Sequence, residues 1–143
     1  MKTKNITTSW VLPIIIFSQF CCTSLWFAGN SIIDDLILFF NLNTESLGYI
    51  SSSVQFGFII GTFVFALLTL SDRFSPSRVL FICSIFGALF NLGILYSNNT
   101  IITLLLFRFL TGFCLAGIYP VGMKIAADHF EKWLGKSLSF LIA

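Results

Sequence analysis

The residue with the clearest chemical potential in this sequence is an arginine inside an apolar run. Arg108 lies within the segment 104–112, which reads Leu-Leu-Leu-Phe-Arg-Phe-Leu-Thr-Gly. A charge inside a membrane costs from about 2.5 kcal/mol upward unless it faces protein or water, so this arginine needs a partner or an aqueous cavity. Two interpretations stay open. Arg108 either locks helices together by bonding to carbonyls or a carboxylate, or it forms an anion-binding or proton-coupling site.

A second group of polar residues lies on one face of the first apolar run. Gln19, Thr23, Trp26 and Asn30 follow the spacing i, i+4, i+7 and i+11, which places them on one side of a helix. Because such a stripe is costly against lipid, we expect it to face other helices or a cavity. It either makes interhelical hydrogen bonds only, or it lines a solute pathway.

The remaining residues that could take part in catalysis or metal binding form no recognisable arrangement. The cysteines fall in apolar segments without metal-binding spacing, which favours buried free thiols: Cys21, Cys22, Cys83 and Cys114. His129 stands among charged neighbours, which favours a surface histidine. No combination of nucleophile, base and metal ligands is evident. The sequence therefore predicts no enzyme activity, no cofactor and no metal site.

Long apolar segments must position these residues. Hydrophobic residues make up 57% of the chain and charged residues 10%, which places it in the membrane class. Four runs are long enough to cross a hydrocarbon core of about 30 Å as helices, at about 10–29, 47–70, 79–96 and 101–121. A fifth run starts near 137. We therefore expect an all-α integral membrane protein with four complete transmembrane helices and the start of a fifth.

Small residues and a proline mark expected contacts between these helices. Gly57 and Gly61 are four positions apart in the second run, a spacing that lets a neighbouring backbone approach closely. In the fourth run, Pro120 should kink or end the helix near the inner face. Gly112 and Gly117, in the same run, are further candidates for helix packing.

The loops between the runs predict the orientation of the chain. The polar turn 71–78 contains Asp72, Arg73 and Arg78, and the segment 124–136 is a second charged loop, whereas the segment 30–46 has no lysine or arginine. Apart from Arg108, every basic residue falls on one side of the membrane. By the positive-inside rule the amino terminus is cytoplasmic. The net charge of +2 is divided among these loops, so no nucleic-acid partner is expected.

The sequence resembles the amino-terminal part of a major facilitator superfamily transporter. The family's signature between helices two and three runs approximately Gly-x-Leu-Ala-Asp-Arg-x-Gly-Arg-Lys, and Leu70, Asp72 and Arg73 match its core. Arg108 and Gly112 match the family's fourth-helix Arg-x-x-x-Gly pattern. The segment 116–124, Ala-Gly-Ile-Tyr-Pro-Val-Gly-Met-Lys, is similar to a stretch in the bacterial cyanate and nitrate-like branch. In place of the signature's glycines and basic pair stand Leu68, Ser75, Pro76 and Ser77.

The resemblance implies a bundle of twelve helices in two halves that moves a small molecule or ion by alternating access. It also implies a bacterial cytoplasmic membrane location. In that family helices one and four line the central cavity, and the turn after helix two belongs to a cytoplasmic gating network. Carried over to this sequence, the pathway candidates are Gln19, Thr23, Trp26, Arg108 and Thr111, and the gating candidates are Asp72, Arg73 and Arg78.

The length of 143 residues accounts for four of the twelve helices. We therefore expect a truncated transporter that is inactive alone and needs the missing carboxyl-terminal helices or another chain. Two alternatives are a small four-helix protein that oligomerises into an exporter, and a membrane anchor or partner subunit. The exporter is disfavoured because none of the four runs contains an aspartate or glutamate, a residue that small exporters usually need inside the membrane.

Overall fold

The computed structural model describes residues 5–129, and these fold into helices joined by short connections. Three helices correspond to long apolar runs, one extends from the amino-terminal segment, and three are shorter. In chain order they are α1 (Asn5–Ser31), α2 (Ile33–Phe39), α3 (Ser46–Leu67), α4 (Leu70–Arg73), α5 (Pro76–Gly93), α6 (Ile101–Ala116) and α7 (Tyr119–His129). The expected start of a fifth helix near 137 and the surface setting of the His129 side chain lie outside what the structure describes.

Three segments of the described chain are long and apolar enough to cross a membrane. They are Ser46–Leu67, Pro76–Gly93 and Ile101–Asp128, the last of which includes α6 and α7. These segments correspond to the predicted runs 47–70, 79–96 and 101–121. The helix α1 covers the predicted run 10–29 and has 27 residues, which is long enough to span. The total of four spans remains a prediction.

Two short helices lie where the sequence predicted only loops. The helix α2 falls inside the segment 30–46 because Ile33 and Leu36, three positions apart, are both buried. Leu36 packs with Ile94 and Leu104 in a small apolar cluster. The one-turn helix α4 occupies the start of the turn 71–78 and follows Thr69, whose φ of 47° is left-handed and interrupts the right-handed helix. Tertiary packing and a left-handed residue therefore extend the helical structure into the predicted loops.

The fourth apolar run is divided into two helices. α6 ends at Ala116, and the Gly117 and Ile118 amides each donate to a carbonyl three residues earlier, at 3.0 Å. α7 begins at Tyr119, so Pro120 lies in its first turn. The N–H groups of a first turn have no acceptor within the helix, so the missing N–H of proline costs no helical hydrogen bond there. The helix-four end predicted at 121 and the loop predicted from 124 are thus wrong: α7 continues to His129, held by the buried Ala126 against Ile15 of α1.

The most extensive helix pair is formed by α3 and α6, and glycines bring these two helices close together. Gly57 faces the Phe109 carbonyl group, and Gly112 faces the Val54 carbonyl group, so each helix supplies one glycine to the other's backbone. An added Cβ at Gly61 would lie 2.7 Å from the Ala116 Cβ.

Candidate functional site

Arg108 joins α6 to α1. A capping box fixes the start of α6: the Thr100 amide donates to Thr103 Oγ1 at 2.8 Å, and the Thr103 amide donates to Thr100 Oγ1 at 3.4 Å. Two turns further along α6, the Arg108 side chain has 0% exposure. Its Nη2 donates to Asn30 Oδ1 and, at 3.5 Å, to the Trp26 carbonyl oxygen, both on α1.

Gly29 makes room for the guanidinium group. A Cβ added at Gly29 would overlap Arg108 Nη1 and lie 2.7 Å from Cζ, so the group lies close against α1 at this position. Sequence reasoning did not identify Gly29. The feature that could have identified Gly29 is its position in α1, three residues after Trp26 and next to Asn30. A side chain at this position would project toward the same neighbouring helix as Trp26.

The positive charge of Arg108 has no counter-charge within the described part of the chain. Within the same part, its Nε and Nη1 atoms are buried and lack a hydrogen-bond partner. Between residues 5 and 129, the ion pair found joins Lys124 and Asp72, not Arg108. A buried guanidinium that bonds only to neutral oxygens remains electrostatically unbalanced, and its Nε and Nη1 donors, which have no partner in the described region, are available to a carboxylate or another oxyanion.

The polar stripe of α1 faces α6 and α7 rather than lipid. Gln19 is 4% exposed, and both polar atoms of its amide lack partners within the described region. It packs against Gly122 of α7, where an added Cβ would lie 2.5 Å from Gln19 Oε1. One turn further along α1, the Thr23 hydroxyl group lies 2.6 Å from the Tyr119 hydroxyl group. The stripe therefore forms a polar seam between α1 and α7, continuous with the site of Arg108.

An aromatic pocket opens beside this seam. The Trp26 and Phe58 rings meet edge to face at 5.7 Å between centroids, and Phe58 meets Tyr119 in the same way at 6.3 Å. The pocket has a volume of about 240 Å³ and is lined by Thr23, Trp26, Phe27, Phe58 and Tyr119. Sequence reasoning missed Phe58 and Tyr119, because Phe58 is one of 18 phenylalanines and Tyr119 was read only as part of the segment around Pro120.

Thr111 is placed in the same buried interface but uses its hydroxyl group locally. It is fully buried one turn after Arg108, and its Oγ1 donates to the Phe107 carbonyl oxygen at 2.8 Å. This back-bond satisfies the hydroxyl proton within α6. Of the five predicted pathway residues, Thr23 and Trp26 line the aromatic pocket, whereas Gln19, Arg108 and Thr111 are enclosed between helices.

The family model described as Major Facilitator Superfamily matches residues 15–143. The chain belongs to the major facilitator superfamily. No curated protein and no solved structure matches the chain. The superfamily consists of membrane transporters rather than enzymes, so this member is an integral membrane protein of a transport family; its place in the cyanate and nitrate-like branch stays a prediction.

The superfamily signature turn lies at the end of the bundle away from Arg108. Asp72, in α4, forms an ion pair with Lys124 of α7. Arg73 and Arg78 are exposed; Arg73 ends α4 and Arg78 lies in the first turn of α5. The partner of Asp72 was not identified from the sequence, because Lys124 had been placed in a loop and only the helical path of α7 brings it back toward α4.

Proposed function

We propose that this chain forms the amino-terminal part of a secondary transporter that moves a small anionic solute by alternating access. The seam between α1 and the helices α6 and α7 is its solute pathway, and Arg108 binds the anionic group. The bundle has twelve helices, the amino terminus is cytoplasmic, and the membrane is the bacterial cytoplasmic membrane. The segment 116–124 supports the cyanate and nitrate-like branch.

One observation supports an anion as the transported solute. The Arg108 guanidinium is fully buried, its contacts are to the neutral oxygens of Asn30 and Trp26, and Nε and Nη1 remain without a partner in the described region. If Arg108 only locked helices together, we would expect a carboxylate or a full set of carbonyl acceptors around it. A solute oxyanion would supply both the missing charge and the missing acceptors.

The arrangement of the helices supports alternating access in a second way. Alternating access needs polar groups near the membrane midplane and contacts that can open at either end. Arg108 and the stripe of α1 supply the polar groups. At the other end, the Asp72–Lys124 ion pair is partly exposed to water, so separating it carries little energetic cost. We assign Asp72, Arg73 and Arg78 to the cytoplasmic gating loop, and Lys124 joins them.

Anion uptake is measured with the protein product of the open reading frame that encodes these 143 residues. Anion binding is measured with the 143-residue chain itself. Arg108→Gln should reduce anion uptake by at least about tenfold, because a hydrogen bond to a charged group contributes about 1.5–3 kcal/mol. Arg108→Lys keeps the charge but loses the planar fork, so partial recovery would indicate charge attraction and no recovery would indicate bidentate binding.

The control is Glu45→Gln, which removes a charge at an exposed position that belongs to neither the seam nor the gating loop. Equal membrane content of each variant is verified by quantitative immunoblotting. Normal uptake of anions by Arg108→Gln would refute the proposed role of Arg108. Failure of all variants and the parent to take up any anion, with robust uptake of a neutral or cationic solute, would refute the proposed substrate charge.

A further inference from the structure

The hydroxyl groups beside the aromatic pocket form a chain whose direction follows from its donors. The Thr23 hydroxyl group lies 2.8 Å from the Gln19 carbonyl oxygen, which can only accept, so the single Thr23 proton is donated there. The Tyr119 hydroxyl oxygen lies 2.6 Å from Thr23 Oγ1. Because Thr23 has no second proton, Tyr119 donates in this bond. The chain therefore runs from Tyr119 through Thr23 to the backbone of α1.

This direction determines what the pocket offers to a ligand. The Tyr119 proton is already used, so its oxygen presents only lone pairs and acts as an acceptor. The other polar atoms of the lining side chains are Thr23 Oγ1, whose proton is also used, and the Trp26 indole N–H, which is a donor. The rest of the lining side-chain surface is aromatic carbon from Trp26, Phe27, Phe58 and Tyr119, and the Thr23 methyl group.

The size of the pocket and the charge beside it restrict the class of ligand further. An apolar cavity of about 150 Å³ is large enough to hold benzene, and this pocket has about 240 Å³. Nη2 of Arg108 contacts the Trp26 carbonyl oxygen at 3.5 Å, so the positive charge from α6 lies beside the turn of α1 that carries the largest ring of the pocket. A cation that has no counter-charge among residues 5–129 favours neutral or anionic rings over cationic ones.

We infer that the aromatic pocket between α1, α3 and α7 binds a ring-bearing apolar part of the solute, which donates a hydrogen bond from a hydroxyl or N–H group to the Tyr119 oxygen. The inference rests on the proposed function in taking this pocket as part of the solute pathway. The substrate class is therefore a substituted aromatic or alicyclic ring that carries both a hydrogen-bond donor and an anionic group.

The test uses neutral rings first, because they do not depend on Arg108. The full chain is placed in lipid nanodiscs, and binding of phenol, anisole and toluene is measured by ligand-observed NMR, with empty nanodiscs subtracted. Phenol, which can donate, should bind about two- to tenfold more tightly than anisole, which can only accept, as expected for one hydrogen bond. Equal binding of phenol and anisole, or no saturable binding of any ring, would overturn the inference.

Two variants test the direction of the hydroxyl chain. Tyr119→Phe keeps the ring and removes the acceptor, so phenol and anisole should bind equally. Thr23→Val is close in shape and removes the group that takes the Tyr119 proton, so that proton becomes available and the preference for phenol should shrink or reverse. Thr23→Ser keeps the hydroxyl group and should keep the preference. An unchanged ratio of the two affinities in Thr23→Val would contradict the deduced direction.

Anionic rings separate this inference from the proposed anion site. In the parent chain, 4-hydroxybenzoate should bind more tightly than phenol, and Arg108→Gln should remove that advantage while the phenol to anisole ratio stays unchanged. Binding of nitrate and benzoate through Arg108 without any phenol preference would overturn the pocket inference alone. A phenol preference without any gain from a carboxylate would support the pocket and refute the anion site.

Discussion

Asp72 and Lys124 form an ion pair although 52 positions separate them in the sequence. The pair joins the one-turn helix α4 to α7 and so connects the turn after the second apolar run to the end of the fourth. Asp72 comes from the superfamily signature, whereas Lys124 reaches it only because α7 continues beyond Pro120. The contact links two elements that the sequence had assigned to separate loops.

Removing this ion pair should change the free energy of unfolding by less than about 1 kcal/mol, because exposed ion pairs gain little over hydration. The Asp72 side chain is 65% exposed. A double-mutant cycle with Asp72→Asn and Lys124→Gln, measured by denaturant unfolding in detergent, isolates the pair from the other contacts of Lys124. Arg73→Gln serves as a charge control. A coupling energy well above this value would show that the pair is stabilised by its surroundings.

Gly57→Ala should destabilise the bundle by about 1–3 kcal/mol or more, since the new methyl group would overlap the Phe109 carbonyl group and force α3 away from α6. The matched control is Gly48→Ala in the same helix, where an added Cβ meets no atom of the described residues within 4 Å. This control should be neutral or stabilising by about 0.5–1 kcal/mol, because alanine favours helix over glycine. Equal stability of the two variants would contradict the observed helix contact.

Gly29→Ala should impair anion uptake about as strongly as Arg108→Gln, although it leaves the arginine in place. The added methyl group would occupy the position of the Arg108 guanidinium against α1, so the donors would move from the site. We expect a loss of at least about tenfold, in line with the loss of one charge-assisted hydrogen bond. Ala28→Ser, at the exposed neighbouring position, should retain uptake. Uptake is measured at equal membrane content, and a fully active Gly29→Ala would show that Arg108 does not bind the solute from this position.

Gln19→Met should raise stability and lower uptake. Both amide atoms of Gln19 are buried without partners in the described region, and a buried unsatisfied polar group costs about 1–3 kcal/mol. Methionine has a similar volume and no polar atom that requires a partner, so unfolding should need more denaturant. The same change would remove a polar group from the solute pathway. Loss of stability in Gln19→Met would indicate that the amide is satisfied by water or by another part of the protein.

The sequence by itself determined the class of protein and its long helices. Apolar runs of sufficient length predict membrane helices because backbone groups in hydrocarbon must bond within their own segment. The motifs around Asp72 and Arg108 indicated the superfamily, which the family comparison confirmed over residues 15–143. The stripe of Gln19, Thr23 and Trp26 was also predictable from the sequence, because helical periodicity alone puts these residues on one face.

Only the tertiary structure decided which residues meet across that face. Gly29 and Tyr119 become important because α6 and α7 approach α1 at those positions, and approach depends on the packing of other helices rather than on local spacing. The break at Gly117 and the continuation of α7 to His129 also depended on packing. A proline is compatible with the first turn of a new helix, so Pro120 alone does not determine whether the helical path ends or continues. Periodicity places a residue on a face of a helix, whereas the partner on the neighbouring helix is set by how the two surfaces fit.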